Sequence, residues 1–192
     1  MPLYEVAVFV NDVEKGSAPA QAVGTYFTLW VSKTATLDTR LDDYEAGESP
    51  AAVLIQDSFT DLAGTLLANH MPEIGGAWII PATHPRILNN QVGMSIIGSG
   101  YGRNAVPSSV QTCYAQATYR QILGTGTTFR LYICCEVDSP LGGDYIFVSA
   151  TQISLNGTLI DYLRQDGDVF KIVKRLVPVV EVVDHLPLMG VH

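Results

Sequence analysis

The feature that most constrains this chain is its punctuation. Short apolar runs alternate with turn-forming clusters: Gly98-Ser99-Gly100, Pro107-Ser108-Ser109, Gly124-Thr125-Gly126, Pro140-Leu141-Gly142-Gly143, Asn156-Gly157 and Asp166-Gly167. Glycine supplies positive φ at no steric cost and proline presets the first turn residue, so each cluster is a chain reversal with a mechanism. The runs between them are rich in β-branched and aromatic residues, which fit a pleated surface. Many short strands punctuated in this way predict an all-β sandwich or jelly roll.

The expected strands are Leu3–Val10, Thr25–Val31, Val53–Gln56, Gly76–Ile80, Gln91–Ile97, Val110–Leu123, Thr128–Val137, Asp144–Ala150, Gln152–Leu155 and Phe170–Val183, the last broken at Pro178. Thr158–Gln165 fits a strand or one helical turn. Residues 34–50 are polar and acidic and close with Gly47 and Pro50, which predicts a linker or extended arm. The chain therefore divides into an N-terminal β element and arm, residues 1–50, and a module over residues 51–192. Two strands alone are marginal in water, so the N-terminal part is expected to pair with the module, a second copy or another protein. Tyr4, Val6, Val8, Tyr26, Phe27 and Trp30 are its candidate assembly residues.

Within the module, Asp57–Trp78 carries an ordered set: Asp57, Phe59, Thr60, Gly64, Thr65, Leu67, His70, Pro72, Gly75, Gly76 and Trp78. This set resembles the opening of a concanavalin A-like, laminin-G-like jelly-roll module, as found in phage virion structural proteins and bacterial secreted proteins. Ile87–Ser95 and Val110–Ile122 resemble the strands that follow in that family; beyond about Asp144 the match is loose. The resemblance implies a non-enzymatic structural protein of a tailed-phage virion, a capsid decoration, cement or fibre-type component, made in the host cytoplasm. It implies a homo-oligomer, with a trimer favoured, attached to major capsid or tail proteins. Since the architecture also hosts lectins and glycosidases, function rests on the site.

Composition points the same way. Hydrophobic residues make up 47% and charged residues 16% of 192, with mean hydropathy +0.21, so apolar surface is left for association. The net charge of -8, without a basic run, argues against nucleic acid as a partner. No apolar run is long enough to span a bilayer, and no leader pattern is visible. Cys113, Cys134 and Cys135 are odd in number and two are adjacent, which predicts buried, reduced thiols rather than a disulfide framework.

Specific chemistry is sparse. Glu136 and Asp138 are the one carboxylate pair that alternation places on a shared strand face, and they sit beside Ser139-Pro140, where a strand runs into a turn. Asp161, Asp166 and Asp168 cluster as calcium ligands do, and equally as a solvated turn does. The four histidines lack zinc spacing, and His70 is expected to bridge the loop before Pro72. Gly98–Gly102 lacks the lysine and helix of a phosphate loop and reads as a hairpin. No cofactor is expected. Tyr101, Arg103 and Asn104, placed together in a loop, offer an aromatic platform with polar neighbours. That is the chemistry of a carbohydrate-binding, lectin-like adhesion module with host surface glycans as partners, and equally that of a protein interface.

Overall fold

The computed structural model describes residues 3–34, 37–49, 52–80, 85–123, 128–149 and 152–177. Fifteen strands lie among them: β1 (Tyr4–Val10), β2 (Val13–Pro19), β3 (Tyr26–Thr34), β4 (Leu37–Glu48), β5 (Ala52–Asp57), β6 (Trp78–Ile79), β7 (Pro85–Ile87), β8 (Val92–Met94), β9 (Gly98–Asn104), β10 (Cys113–Leu123), β11 (Phe129–Cys135), β12 (Asp144–Val148), β13 (Gln152–Leu155), β14 (Thr158–Asp161) and β15 (Val169–Leu176). Among the described residues a single 3₁₀ turn spans Leu67–Asn69.

All strand pairings are antiparallel, and they join into one large, nearly barrel-like sheet. The sheet doubles over at the β3–β4 corner, where pairing is confined to Lys33–Asp38 and Thr34–Leu37. One layer runs β14-β13-β12-β11-β3-β9-β6. The other runs β2-β1-β15-β10-β4, with β5 and the β7-β8 pair along the far edge of β4. Inward positions follow the period of two: Val6, Val8 and Val10 on β1, Phe27, Leu29 and Val31 on β3, and Phe170 and Ile172 on β15. Across the interior, Phe129 of β11 meets Phe170 edge-on with centroids 5.3 Å apart and stacks on Tyr119 of β10 at 6.0 Å.

The predicted linker is strand β4. It pairs with β10 along one edge and with β5 on the other, and the expected boundary at 50/51 falls between two strands joined from Tyr44–Asp57 to Glu48–Ala52. Three of its five acidic residues are matched as follows: Asp38 by Lys33 and Arg40 at 3.3 and 3.1 Å, Asp42 by Arg120 at 3.5 Å, and Glu45 by the Tyr114 hydroxyl at 2.8 Å. Leu41, Tyr44 and Ala46 fill its inner side. The N-terminal element is likewise built into the body, since β1 lies between β2 and β15 and β3 lies between β11 and β9.

A second difference concerns residues 98–104, expected as a hairpin and loop and found as strand β9 between β3 and β6. A Cβ on Gly100 would stand 2.8 Å from Pro85, and one on Gly102 2.9 Å from Leu67. These glycines allow close packing, not a turn. Thr158–Asp161 resolves as a strand. The expected run of the last strand to Val183, the tail from His185 to His192, and His84 lie outside the described residues.

Candidate functional site

Two polar constellations stand out, and their geometry separates a clamp from a surface. The clamp is built by the Asp57–Trp78 segment. Asp57, fully buried at the end of β5, accepts hydrogen bonds from Trp78 Nε1 at 2.6 Å, His70 Nε2 at 2.8 Å and the Phe59 backbone N–H at 2.7 Å. The last of these closes an Asx turn that holds Phe59 at φ 51, so that its ring packs by His70 and Trp78. The other His70 nitrogen, Nδ1, faces Asp61 at 3.2 Å.

Burial would lower the His70 pKa, but the hydrogen bonds and charges of Asp57 and Asp61 outweigh it and raise the value. Asp61 is lowered by the Leu62 backbone N–H and by His70. With both ring nitrogens held by carboxylates, the histidine keeps no lone pair for a substrate. It pins the loop between β5 and β6, as the bridging role expected for it requires.

The surface is the outer face of the first layer. Inward Phe129, Leu131 and Ile133 leave Arg130 and Tyr132 on the other side of β11, and the same alternation places Tyr145 and Phe147 of β12 and Tyr26, Thr28 and Trp30 of β3 there; Tyr26, Trp30, Arg130, Tyr145 and Phe147 are half-buried, whereas Tyr132 and Thr28 are buried beneath their neighbours. Strand register aligns them into two rows. Ser154, Phe147, Arg130, Trp30 and Tyr101 face one another in sequence across five strands. Beside them run Tyr145, Tyr132, Thr28, Arg103 and Ile79.

The Arg130 guanidinium lies 5.0 Å from the Trp30 ring centre, 4.9 Å from Phe147 and 5.7 Å from Tyr145, and donates to the Tyr132 hydroxyl at 2.9 Å. Arg103 stacks on Tyr26 at 4.4 Å. Cation–π contacts thus hold the rings of Trp30, Phe147, Tyr145 and Tyr26 in place. Among the described residues no carboxylate stands within ion-pair distance of Arg130.

At one end this face dips into a groove of about 280 Å³ lined by Ile79, Tyr101, Arg103, Val137 and Asp138. Two regions singled out in the sequence, Tyr101–Asn104 and the turn after β11, therefore meet in space. Their members have different roles. Tyr101 is half-buried on the face and Arg103 is nearly buried against Tyr26. Asn104 is fully buried, donating from Nδ2 to the Gly76 carbonyl at 2.7 Å and accepting from the Val106 N–H at 3.0 Å, so it ties two loops together rather than facing a ligand.

The candidate assembly residues divide in the same way. Tyr26 and Trp30 are on the outer face, whereas Val6, Val8 and Phe27 are core residues at 0% exposure and are not offered to a second copy. Their β-rich pattern reflected the chain's own interior. Tyr4 is half-buried, its ring 5.3 Å from the Lys174 ammonium.

Glu136 and Asp138 lie exposed beyond the end of β11, and only Asp138 borders the groove. The Asp168 carboxylate is occupied by Asn11 Nδ2 at 2.9 Å, the Tyr162 hydroxyl at 3.1 Å and the Gln165 N–H at 2.6 Å. That is the work of a turn between β14 and β15, and among the described residues no group of three His, Cys, Asp or Glu converges on a point.

Sequence reasoning missed Arg130, Tyr132, Tyr145 and Phe147. The signal was present in FRLYI and DYIFV, where a period of two places every second aromatic or arginine opposite the aliphatic residues. Comparison with protein-family models, curated proteins and solved structures finds no match for this chain.

Proposed function

We propose that the chain is a non-enzymatic structural and attachment protein of a tailed-phage virion, a capsid decoration, cement or fibre-type component with a concanavalin A-like jelly roll. It docks on its partner through the outer face of the first layer. The context comes from the resemblance carried by Asp57–Trp78; the docking surface comes from the geometry. The observation that supports it most is the Phe147–Arg130–Trp30–Tyr101 row, a continuous cross-strand line of the residue types that anchor protein interfaces. Exposed Val137 and Ile79, at 52% and 46%, extend that face with apolar surface. Trp30 and Tyr26 belong to the N-terminal part, so the element expected to mediate attachment contributes to the face.

The test is solution mass by light scattering across a concentration series, for the full chain and for the Trp30→Ala and Arg130→Ala variants, with circular dichroism as the folding control. A symmetric oligomer that dissociates in both folded variants supports the reading. A wild-type monomer whose variants also bind isolated capsid or tail particles as tightly as wild type does would defeat it.

A second reading, a carbohydrate-binding adhesion module, is favoured by the groove beside Tyr101, where a stacking ring, the Arg103 guanidinium and the Asp138 carboxylate converge. Saturable binding on a glycan panel that disappears in Tyr101→Ala supports it; a silent panel removes it.

A further inference from the structure

Cys113 opens β10 and Cys134 stands near the end of β11, strands of opposite layers. Between Tyr132 and Cys135 the β11–β3 register shifts, so that Ile133 and Cys134 share the single position opposite Phe27. Cys134 occupies this bulge at φ 57, a left-handed conformation that a non-glycine residue adopts at a cost. The bulge turns its side chain inward, where it joins the core while Cys135 does not. Both Cys113 and Cys134 are buried, and their sulfurs are 3.5 Å apart.

A third group completes the cluster. On β15 the inward positions after Phe170 and Ile172 fall to Lys174, a lysine 2% exposed. Its ammonium donates to the Ala22 carbonyl at 2.5 Å and to Gln111 Oε1 at 2.9 Å, and lies 3.6 Å from Cys134 Sγ and 3.9 Å from the buried Asp144 carboxylate. The same lysine reaches a groove of about 480 Å³ bounded by Leu3, Tyr4, Ala20, Val23 and Gln111. Neither sulfur lines the groove; Lys174, 3.6 Å from Cys134 Sγ, joins it to the pair.

We propose that Cys113 and Cys134 are a peroxide-oxidisable pair whose disulfide staples the two layers together. The roles follow from the surroundings. The hydrogen bond from Cys113 and the Lys174 charge, against burial, hold the Cys134 thiol below its usual value, whereas its bond to Cys134 and burial push Cys113 up. Cys134 is the attacking sulfur. Its thiolate attacks one oxygen of hydrogen peroxide and the O–O bond breaks, giving a sulfenic acid and hydroxide; the hydroxide takes up the proton that Cys134 released on ionising and leaves as water. Cys113 sulfur then displaces the hydroxyl from Cys134, and the S–S bond forms as a second water departs with the Cys113 proton. Two thiols lose two electrons in all, and the peroxide gains them. Closure needs an approach of about 1.5 Å, to the ordinary S–S length. Cys135 takes no part: it is pushed up to about 12 by burial and points away from the pair.

The experiment treats the folded full chain with hydrogen peroxide, then unfolds it, alkylates it and reads intact mass and a peptide map. Of the three cysteines, one is expected to remain alkylatable, with the Cys113 and Cys134 peptides linked and dithiothreitol restoring the rest. Cys135→Ser should still close the bond, and Cys113→Ser should leave Cys134 as a sulfenic acid trapped by dimedone. Linkage through Cys135, or three alkylatable thiols after prolonged oxidation, overturns the proposal. The wild-type map decides the matter if a variant fails to fold.

Discussion

Replacing Asp57 by asparagine tests the clamp with almost no change of shape. The carboxylate is fully buried and takes three donors: Phe59 N–H and His70 Nε2 on one oxygen, Trp78 Nε1 on the other at 2.6 Å. An amide has one acceptor oxygen. Whichever way it turns, its NH₂ abuts a buried N–H, and the better orientation keeps the Phe59 and His70 bonds and orphans the Trp78 indole. An unsatisfied buried donor costs about 1–3 kcal/mol, and removing one member of a buried charged pair costs about 3–5 kcal/mol in all. Asp57→Asn is therefore expected to lose about 3–5 kcal/mol, which for a chain of this size lowers the melting temperature by about 10 °C. Denaturant unfolding followed by tryptophan fluorescence measures the loss. The Trp78 indole proton, read by NMR, should move strongly upfield as its short bond to a carboxylate disappears. A loss below about 1 kcal/mol with an unmoved indole resonance would refute the claim that Asp57 organises this loop.

The histidine of the same clamp gives stability a pH dependence of known sign. Its folded pKa is raised, so its contribution is complete below the ordinary imidazole value of 6.5 and is lost as pH rises through the folded value; melting temperature should fall over that window in wild type and not in His70→Gln. Tyr44 is fully buried with its hydroxyl unpaired among the described residues and its ring edge-on to Trp78 at 5.3 Å, so Tyr44→Phe should stabilise by about 1 kcal/mol, measured by denaturant midpoint. Gly24 lies so close to β11 that an added Cβ would stand 2.2 Å from the Cys135 carbonyl oxygen. Gly24→Ala must push β3 from β11 and should cost about 1–3 kcal/mol by the same assay.

How much of this was legible depends on what each residue had to satisfy. Strands with a plain apolar stretch, such as β5, β12 and β13, stood out because Ile55, Ile146, Val148, Ile153 and Leu155 fill their inward positions. β4 was hidden because Asp42 and Glu45 read as linker until Arg120 and Tyr114 are brought beside them by β10, a strand distant in sequence. β9 was hidden because glycine ordinarily weakens a strand, and only the nearness of Pro85 and Leu67 explains why side chains are missing there. Lys174 was hidden by its own type: a lysine at an inward position is expected outside, and what holds it is a carbonyl, an amide and a thiol from three other segments. Within the site, Tyr101 and Arg103 were visible as residue types, but Asn104 looked the same and turned out to be a loop tie.

The motif that carried the resemblance and the surface that carries the proposed function share only one element, β6. Asp57, Phe59, His70 and Trp78 form an internal clamp whose atoms are turned toward one another, so their spacing encodes how β5 reaches β6 and nothing about a ligand. The outer face lies on β9, β3, β11 and β12, and β6 touches it only through Ile79, opposite Arg103. A chain can keep the clamp, and with it the fold, while exchanging every residue of the Phe147–Arg130–Trp30–Tyr101 row, because outward positions answer to partners and not to packing. Trp30→Ala and Asp57→Asn should accordingly separate: the first impairs docking with little loss of stability, the second lowers stability and leaves the docking affinity of the folded fraction intact. If Trp30→Ala instead melts the protein as Asp57→Asn does, the row is part of the structural frame, and the docking surface must be sought elsewhere.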